Sequence, residues 1–507
     1  MNTADANKIP REASYSLSVK QRVWKMIFIE KLKNPLGYIF LMLATLGISF
    51  LIAELGPIMA VLTMVIMIGL PMAYAIIVFP EFGIITILVS AYLVMWVDKI
   101  GLSFPTGTLM DALQVLLILG FFLKQKYDKN WDFISNPISI IILVWIGYSF
   151  LEAINPQAES KVAWIFTVRT VAVVMLTYFI FIYHIRTVSF IRLLFKIWIA
   201  LSVFAALYSF KQEYFGFFGF EKQWLANNPS AEGLYFINNH WRKFSIFSDP
   251  VTSAYNMVIS SLLCITLLFG PISKGKKVLL GFLAVLFFMA MLHTGTRGAF
   301  VLIPAGLAML LVLRLNKKTL LLTGILAVAF IGLIKMPTSN ETLGRFQSAF
   351  YPSNDASFNL RKMNQKRIQP YIQLHPMGGG LGSTGAWGER FSPGSYLASF
   401  PPDSGYVRVA VEMGSIGLLL MCTLIFIVLK TGIQNYFAIQ DPELKNYCLA
   451  MILIVFALNI GNYPQEALVQ YPTNIYFCLA MALINITLKL DREKNDNLLQ
   501  TVNGKQA

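Results

Sequence analysis

Runs of about twenty apolar residues recur along almost the whole chain, and no other feature limits its fold as severely. A helix needs roughly 20 such residues to cross the hydrocarbon of a bilayer. Within lipid, only helices and closed barrels satisfy every backbone donor and acceptor. The runs fit fourteen helices, at roughly 36–54, 57–79, 82–97, 109–123, 137–151, 163–184, 189–210, 251–270, 278–293, 298–313, 319–334, 406–430, 446–461 and 472–488. The expected fold is therefore all-α, a polytopic integral membrane protein of about 14 transmembrane helices (12–14) with a large extracytoplasmic loop. Only 13% of the 507 residues are charged, about half the share of a soluble chain. Residues 36–488 read as a single transmembrane domain between a basic cytoplasmic N-terminus, 1–35, and a cytoplasmic tail, 489–507.

The net charge of +15 does not point to nucleic acid, because the lysines and arginines lie between apolar runs and form no basic face. Lys8, Arg11, Lys20, Arg22, Lys25, Lys31 and Lys33 precede the first run, with no apolar core and small-residue cleavage site of the kind that marks a signal peptide. Cys264, Cys422, Cys448 and Cys478 fall within expected spans without metal-ligand spacing and read as small buried apolar residues.

Placing the basic N-terminus in the cytoplasm and alternating sides sends 124–132, 184–186, 271–277, 314–318 and the tail from Lys489 inward, and each of these is basic, as the positive-inside bias requires. Four other features then share the opposite face: the loop at 211–250, the junction HTGTRG at 293–298, the segment 335–405, and NYPQEALVQYP at 462–472. The segment 335–405 is too long for a connector, and 360–376 reads as a helix interrupted near Pro370. Chemistry on that face has no access to cytoplasmic nucleotides and requires a substrate that is already activated.

Arginines on the outer face run against the positive-inside bias and call for an anion. Arg242 lies in HWRKFSIFSDP, Arg297 at a span junction, Arg361 and Arg367 in the long segment, and Arg169 about two turns into the sixth span. Guanidinium forks match phosphate oxygens two at a time, so a converging set suits a lipid diphosphate. Plainer readings stand beside this one: snorkelling for Arg297, a buried ion pair with an acidic neighbour for Arg169, and a solvated helix face for Arg361 and Arg367. The glycines of HPMGGGLGSTGAWG, 375–388, read as a tight turn with close backbone approach and not as a nucleotide loop, since no Lys-Ser/Thr follows. His293 and His375 lack metal-ligand spacing. Asp403, in PPDSGYVRVAVEMGSIG, is either a helix N-cap or a general base for an acceptor hydroxyl, and at a helix N-terminus it would stay ionised and be a weak base. Glu412 is expected to pack inward and cap nothing.

Taken in order, WRKFSIFSDP, HTGTRGAF, HPMGGGLGSTG and DSGYVRVAVEMGSIG resemble the O-antigen ligase and O-antigen polymerase superfamily of bacterial envelope polysaccharide assembly, over about the C-terminal half of the chain. The resemblance implies a metal-independent glycosyltransferase of the bacterial inner membrane that takes glycan from an undecaprenyl-diphosphate carrier to an acceptor at the periplasmic face. It places Arg242 and Arg297 on the diphosphate and the acceptor site in the large outer loop, and requires no metal or other cofactor; Arg169, Arg361, Arg367 and His293 are the further substrate-binding candidates on this chain. Partners would be the lipid-linked donor, a glycan acceptor and the bilayer, with chain-length regulator and flippase proteins alongside and no nucleic acid. The ligases resembled have a histidine where this chain has Asp403, and the Asp-Ser-Gly-Tyr form is more similar to the polymerases of O-antigen, capsule or exopolysaccharide. Transfer to a lipid or protein acceptor is the alternative within this chemistry. A lipid-linked oligosaccharide flippase is the alternative outside it.

Overall fold

The computed structural model describes residues 35–55, 57–100, 106–237, 240–339, 341–350 and 356–503; the basic stretch before Pro35 lies outside them. The chain divides between Tyr74 and Ala75 into two compact units. The first contains helix Pro35–Leu55 and most of helix Pro57–Val78. The second, 75–507, carries every candidate site residue and is described from here on.

Helices dominate, as the apolar runs demand, and the described strands are the two-residue pair Phe236–Ile237 and His240–Trp241, antiparallel with Phe236 opposite Trp241. Among the described residues eleven helices are long and apolar enough to cross a membrane, with shorter apolar helices at Ile66–Val78 and Arg297–Leu313. The sequence reading had counted fourteen.

Three helices form the centre: 89% of the apolar window of Pro250–Leu267 is buried, 78% of Pro442–Gly461 and 83% of Thr473–Asn497, against 11% of Lys317–Lys335 at the lipid-facing periphery. Their sequences explain the difference. Ser260, Ser261, Cys264, Ala450, Ala457, Ala480 and Ala482 are all buried, and small side chains let membrane helices approach closely where no hydrophobic effect drives them together. Polar groups at this depth bond one another: Tyr92 Oη with Ser202 Oγ at 2.9 Å, Ser202 Oγ with Ser260 Oγ at 2.8 Å, Trp198 Nε1 to Ser260 Oγ at 3.2 Å, and Asn256 Nδ2 to Thr473 Oγ1 at 3.1 Å. Three cysteines are buried as expected, but Cys422 is exposed, because it lies on the outward side of the peripheral helix Gly414–Ala438.

Three expected spans are interrupted, the tenth only at Val301, between Arg297–Phe300 and Leu302–Leu313. The sixth runs as Lys161–Val171, a 3-10 turn at Val173–Met175 and Leu176–His184, and Trp145 Nε1 donates to the released Val171 carbonyl at 3.1 Å, which offsets the cost of an open backbone acceptor in lipid. The twelfth splits into Gly405–Glu412 and Gly414–Ala438. Gly414 has φ +68, Tyr148 Oη donates to the Met413 carbonyl at 2.9 Å, and a Cβ on Gly414 would overlap the Pro376 carbonyl. In contrast, helix Ala356–Leu374 runs through Pro370 unbroken. Lys366, whose carbonyl loses its intrahelical donor there, is exposed, so water can replace the missing bond.

The four features expected on one face meet at one end. Lys243 N donates to the His293 carbonyl at 3.1 Å, Arg345 Nε to the Gly295 carbonyl at 3.1 Å, and Gly405 N to the Asn462 carbonyl at 2.9 Å. The basic loops gather at the other end, where Arg192 pairs with Glu443 at 2.6 Å, Arg186 with Asp128 at 3.4 Å, and Lys494 with Asp441.

The helix break yields a paired prediction. Gly414→Val adds strain at positive φ and an overlap with Pro376, and should cost about 2–5 kcal/mol. Gly324→Ala, in helix Lys317–Lys335 where a Cβ meets nothing within 4 Å, should be neutral or stabilising by up to about 1 kcal/mol. Thermal unfolding in detergent reads both signs.

Candidate functional site

The site is built on the turn Thr294–Arg297, which joins helix Lys274–His293 to Arg297–Phe300. Gly295 takes φ +58 there, a conformation that costs glycine little. Arg242 reaches the turn from the short hairpin: Nε donates to the Thr294 carbonyl at 3.0 Å, Nη2 to Thr296 Oγ1 at 3.0 Å and Nη1 to the Leu234 carbonyl at 3.3 Å. Arg345, from helix Glu341–Ser348, donates from Nε to the carbonyl between those two contacts, that of Gly295. Arg297 is the next residue but one.

Burial, then the nearby Arg345 cation, and further on Arg297, push the Arg242 guanidinium down to about 10, while Asp249 opposes them. It remains charged at neutral pH. Asp249 is committed elsewhere: as N-cap of Pro250–Leu267 it accepts from Val251 N at 2.8 Å and Thr252 N at 2.9 Å, and its second oxygen holds Ser248 Oγ and Thr252 Oγ1. Cations thus gather at the turn, and Asp249, the acid that acts on Arg242, serves a helix end.

Beside it lies a cavity of about 810 Å³ lined by Arg297, Arg361, Lys362, Tyr406, Asn459 and Tyr463 among others. Val301, Ile460 and Pro464 give it an apolar flank. The Tyr406 hydroxyl donates to Asn459. Asp403 is half-buried at the start of Gly405–Glu412. Burial pushes its carboxyl up and the Arg361 cation pulls it back. Of the two sequence readings of Asp403 the cap is corrected: Ser404, accepting from Val407 N at 3.5 Å, is the N-cap, and burial of Asp403 opposes the ionisation that a helix N-terminus would favour.

Other candidates lie apart from this cavity. Arg169 forms an ion pair with Asp111 and donates from Nε to the Phe166 carbonyl at 3.1 Å, the plainer of its two sequence readings. Arg367 is exposed on helix Ala356–Leu374. His293 is buried, with its ring edge-on to Phe210 at 4.7 Å and to Tyr214 at 6.0 Å. His375 stacks on Tyr371 at 4.0 Å.

The glycine segment is a cradle, but for a carboxylate of the chain itself. Gly378, Gly380 and Gly382 have φ +72, +90 and +79, and the backbone wraps the end of Gly405–Glu412. Gly379 N donates to the Val411 carbonyl at 2.9 Å and Gly380 N to that of Glu412 at 2.8 Å. The Glu412 carboxylate accepts from Gly382 N at 3.1 Å, Thr384 N at 3.4 Å and Thr384 Oγ1 at 2.5 Å. Glu412 does point inward as expected, but it caps the whole glycine turn. Arg408 links it to a second acid, with Nε 3.2 Å from Glu412 and Nη1 2.5 Å from Glu466. Sequence reasoning missed Arg345, Arg408 and Glu466. The i, i+4 spacing of Arg408 and Glu412 was the available signal for the second; Arg345 and Glu466 had none beyond lying in outward segments.

Residues 282–422 match the O-Antigen ligase family, a stretch that opens in helix Lys274–His293 and takes in the arginine turn, the outer segment, the glycine cradle, Asp403 and Glu412. The match bears out the resemblance to the O-antigen ligase and polymerase superfamily drawn from the sequence motifs. No curated protein matches the chain.

Arg408→Met should leave Glu412 and Glu466 buried without their cation, at a cost of about 3–5 kcal/mol near neutral pH. Burial already pushes the Glu466 carboxyl up and Arg408 opposes this, so its removal raises the folded-state value further above the unfolded one. The folded variant then binds protons the unfolded chain does not, and its deficit should shrink as pH is lowered. Unfolding curves of both proteins at pH 7 and pH 5 check the direction.

Proposed function

We propose, with the O-antigen ligase domain at 282–422 as premise, that the chain is a membrane glycosyltransferase that moves glycan from a polyprenyl-diphosphate carrier, undecaprenyl diphosphate in a bacterial inner membrane, to an acceptor sugar at the periplasmic face. The observation that carries the reading is the meeting of Arg242 and Arg297 at one turn beside a cavity with an apolar flank. The acceptor hydroxyl oxygen attacks the anomeric carbon, the bond from that carbon to the phosphate oxygen breaks, and the diphosphate departs with the electron pair. Arg242 and Arg297 neutralise the charge appearing on it, which is where fixed cations lower a barrier most. Asp403 takes the hydroxyl proton.

Chain extension, in which donor and acceptor are both lipid-linked repeat units, is the favoured form because Asp403 stands where the ligases resembled carry histidine. Transfer to a lipid or protein acceptor is the second reading, favoured by the description of the matched family as a ligase. Purified protein given lipid-linked donor alone separates them: longer lipid-linked chains indicate polymerisation, and no product until a second acceptor is added indicates ligation.

Three outcomes are expected of variants. Arg297→Lys should reduce glycan transfer at least about a hundredfold, since an ammonium cannot reproduce the fork on phosphate; normal polymer from this variant would reduce Arg297 to an interfacial anchor. Asp403→Asn should abolish turnover with the fold intact. Arg361→Gln removes the cation that favours the ionised Asp403, so the acid limb of the pH–rate profile should move to higher pH. A limb that stays in place would mean that a group other than Asp403 sets it.

A further inference from the structure

We propose that Lys99 is a positioning residue: it holds the loop segment that carries Arg242 in the conformation that delivers this guanidinium to the Thr294–Arg297 turn. The inference rests on the donor reading above for what Arg242 does, and on contacts of its own for Lys99. Lys99 ends the apolar helix Pro80–Lys99. A lysine at such a place ordinarily snorkels, with its stem on apolar surface and its ammonium in water. This one is 3% exposed. Its Nζ donates to the Phe247 carbonyl and lies 3.6 Å from the centre of the Phe244 ring and 4.8 Å from that of Trp224. An ammonium has three protons to place, and where water is excluded a carbonyl and two ring faces answer its charge. All three partners belong to the outer loop 211–250.

The grip falls on both sides of a kink. Ser245, between Phe244 and Phe247, has φ +54, a sparsely populated conformation for a residue with a side chain, which persists only where the surroundings impose it. Gln212, near the end of helix Val188–Tyr214, binds the kink itself: Ser245 N donates to its Oε1 at 2.8 Å, and its Nε2 donates to the Ser245 carbonyl at 3.3 Å. Ser245 Oγ donates to the Ala205 carbonyl at 2.6 Å. Lys99 adds the ring before the kink and the carbonyl after it.

Arg242 belongs to the same closed loop. Its N donates to the Tyr235 carbonyl at 2.8 Å, the Tyr235 ring packs on Phe244 at 5.5 Å, and the Tyr235 hydroxyl donates to the Ser248 carbonyl at 2.9 Å. Phe244 is fully buried within this loop, and the Arg242 side chain reaches out of it to Thr294 and Thr296. Without the ammonium the ring and the kink are free to relax, and Arg242 moves with them. A guanidinium displaced in this way keeps its charge but loses the aligned pair of bonds that phosphate requires. Phe244, Ser245 and Phe247, the part of WRKFSIFSDP that the transfer chemistry leaves unused, are thus the handle by which a span holds Arg242.

The test uses the full chain purified in detergent, with farnesyl diphosphate as probe and binding measured by calorimetry in a double-mutant cycle. Lys99→Met, which keeps the stem and deletes the ammonium, should weaken binding about tenfold, the scale of one lost charge-assisted contact. Lys99→Arg, which keeps the charge over the rings, should recover part of the loss. In an Arg242→Gln background Lys99→Met should cost less than about twofold, because a residue that acts through Arg242 then has nothing left to act on. Phe244→Leu, which removes the ring beneath the ammonium, should show the same dependence on Arg242 and carries the test if Lys99→Met does not fold. Full binding by the Lys99 and Phe244 variants, or a loss repeated undiminished without Arg242, overturns the inference and leaves the donor reading standing. A wild type that binds the probe no better than Arg242→Gln sinks the donor reading, and the inference with it.

Discussion

The Glu412 carboxylate is the contact on which the geometry of the site depends. Its oxygens hold two backbone amides, one hydroxyl and one guanidinium. Through them the glycine segment, the short helix Gly405–Glu412 and, by way of Arg408 and Glu466, the loop after Pro442–Gly461 become one body. The desolvation cost of burying this charge is offset only because the oxygens are so fully engaged. The positive φ angles of the cradle, and the break at Met413–Gly414, follow from the need to bend backbone closely around one side chain.

That body sets the stage for a second arrangement with the opposite electrostatic character. Around Glu412 one cation, Arg408, serves two acids, Glu412 and Glu466, whereas at Thr294–Arg297 two guanidinium groups, those of Arg242 and Arg345, donate to successive backbone carbonyls of one turn. Asp403 sits between the two, where burial and the Arg361 cation act on it in opposite directions.

Much of this was readable from the residues alone, and the reasons are physical. Apolar runs of bilayer length announce helices whatever their partners, and the excess of outward arginines marked Arg242 and Arg297 before their neighbourhood was known. The breaks at Ala172 and Met413 were invisible because hydropathy reports composition and not backbone continuity. Arg345 escaped because it reaches the turn from a helix far away in sequence, and Glu412 because its partners are amides, which leave no trace in side-chain chemistry. Asp403 was seen as either cap or base, and the adjacent serine took the cap.

Helix Thr473–Asn503 has a consequence for where the site sits. At 31 residues it is about 46 Å long, well beyond the roughly 30 Å hydrocarbon slab. Thr473 ties one end to Asn256, and Asp491, about 27 Å further along the helix, accepts from Gln440 N and Asp441 N. A helix that supplies none of the site arginines thus joins the end of the bundle that carries them to the end where the basic loops gather.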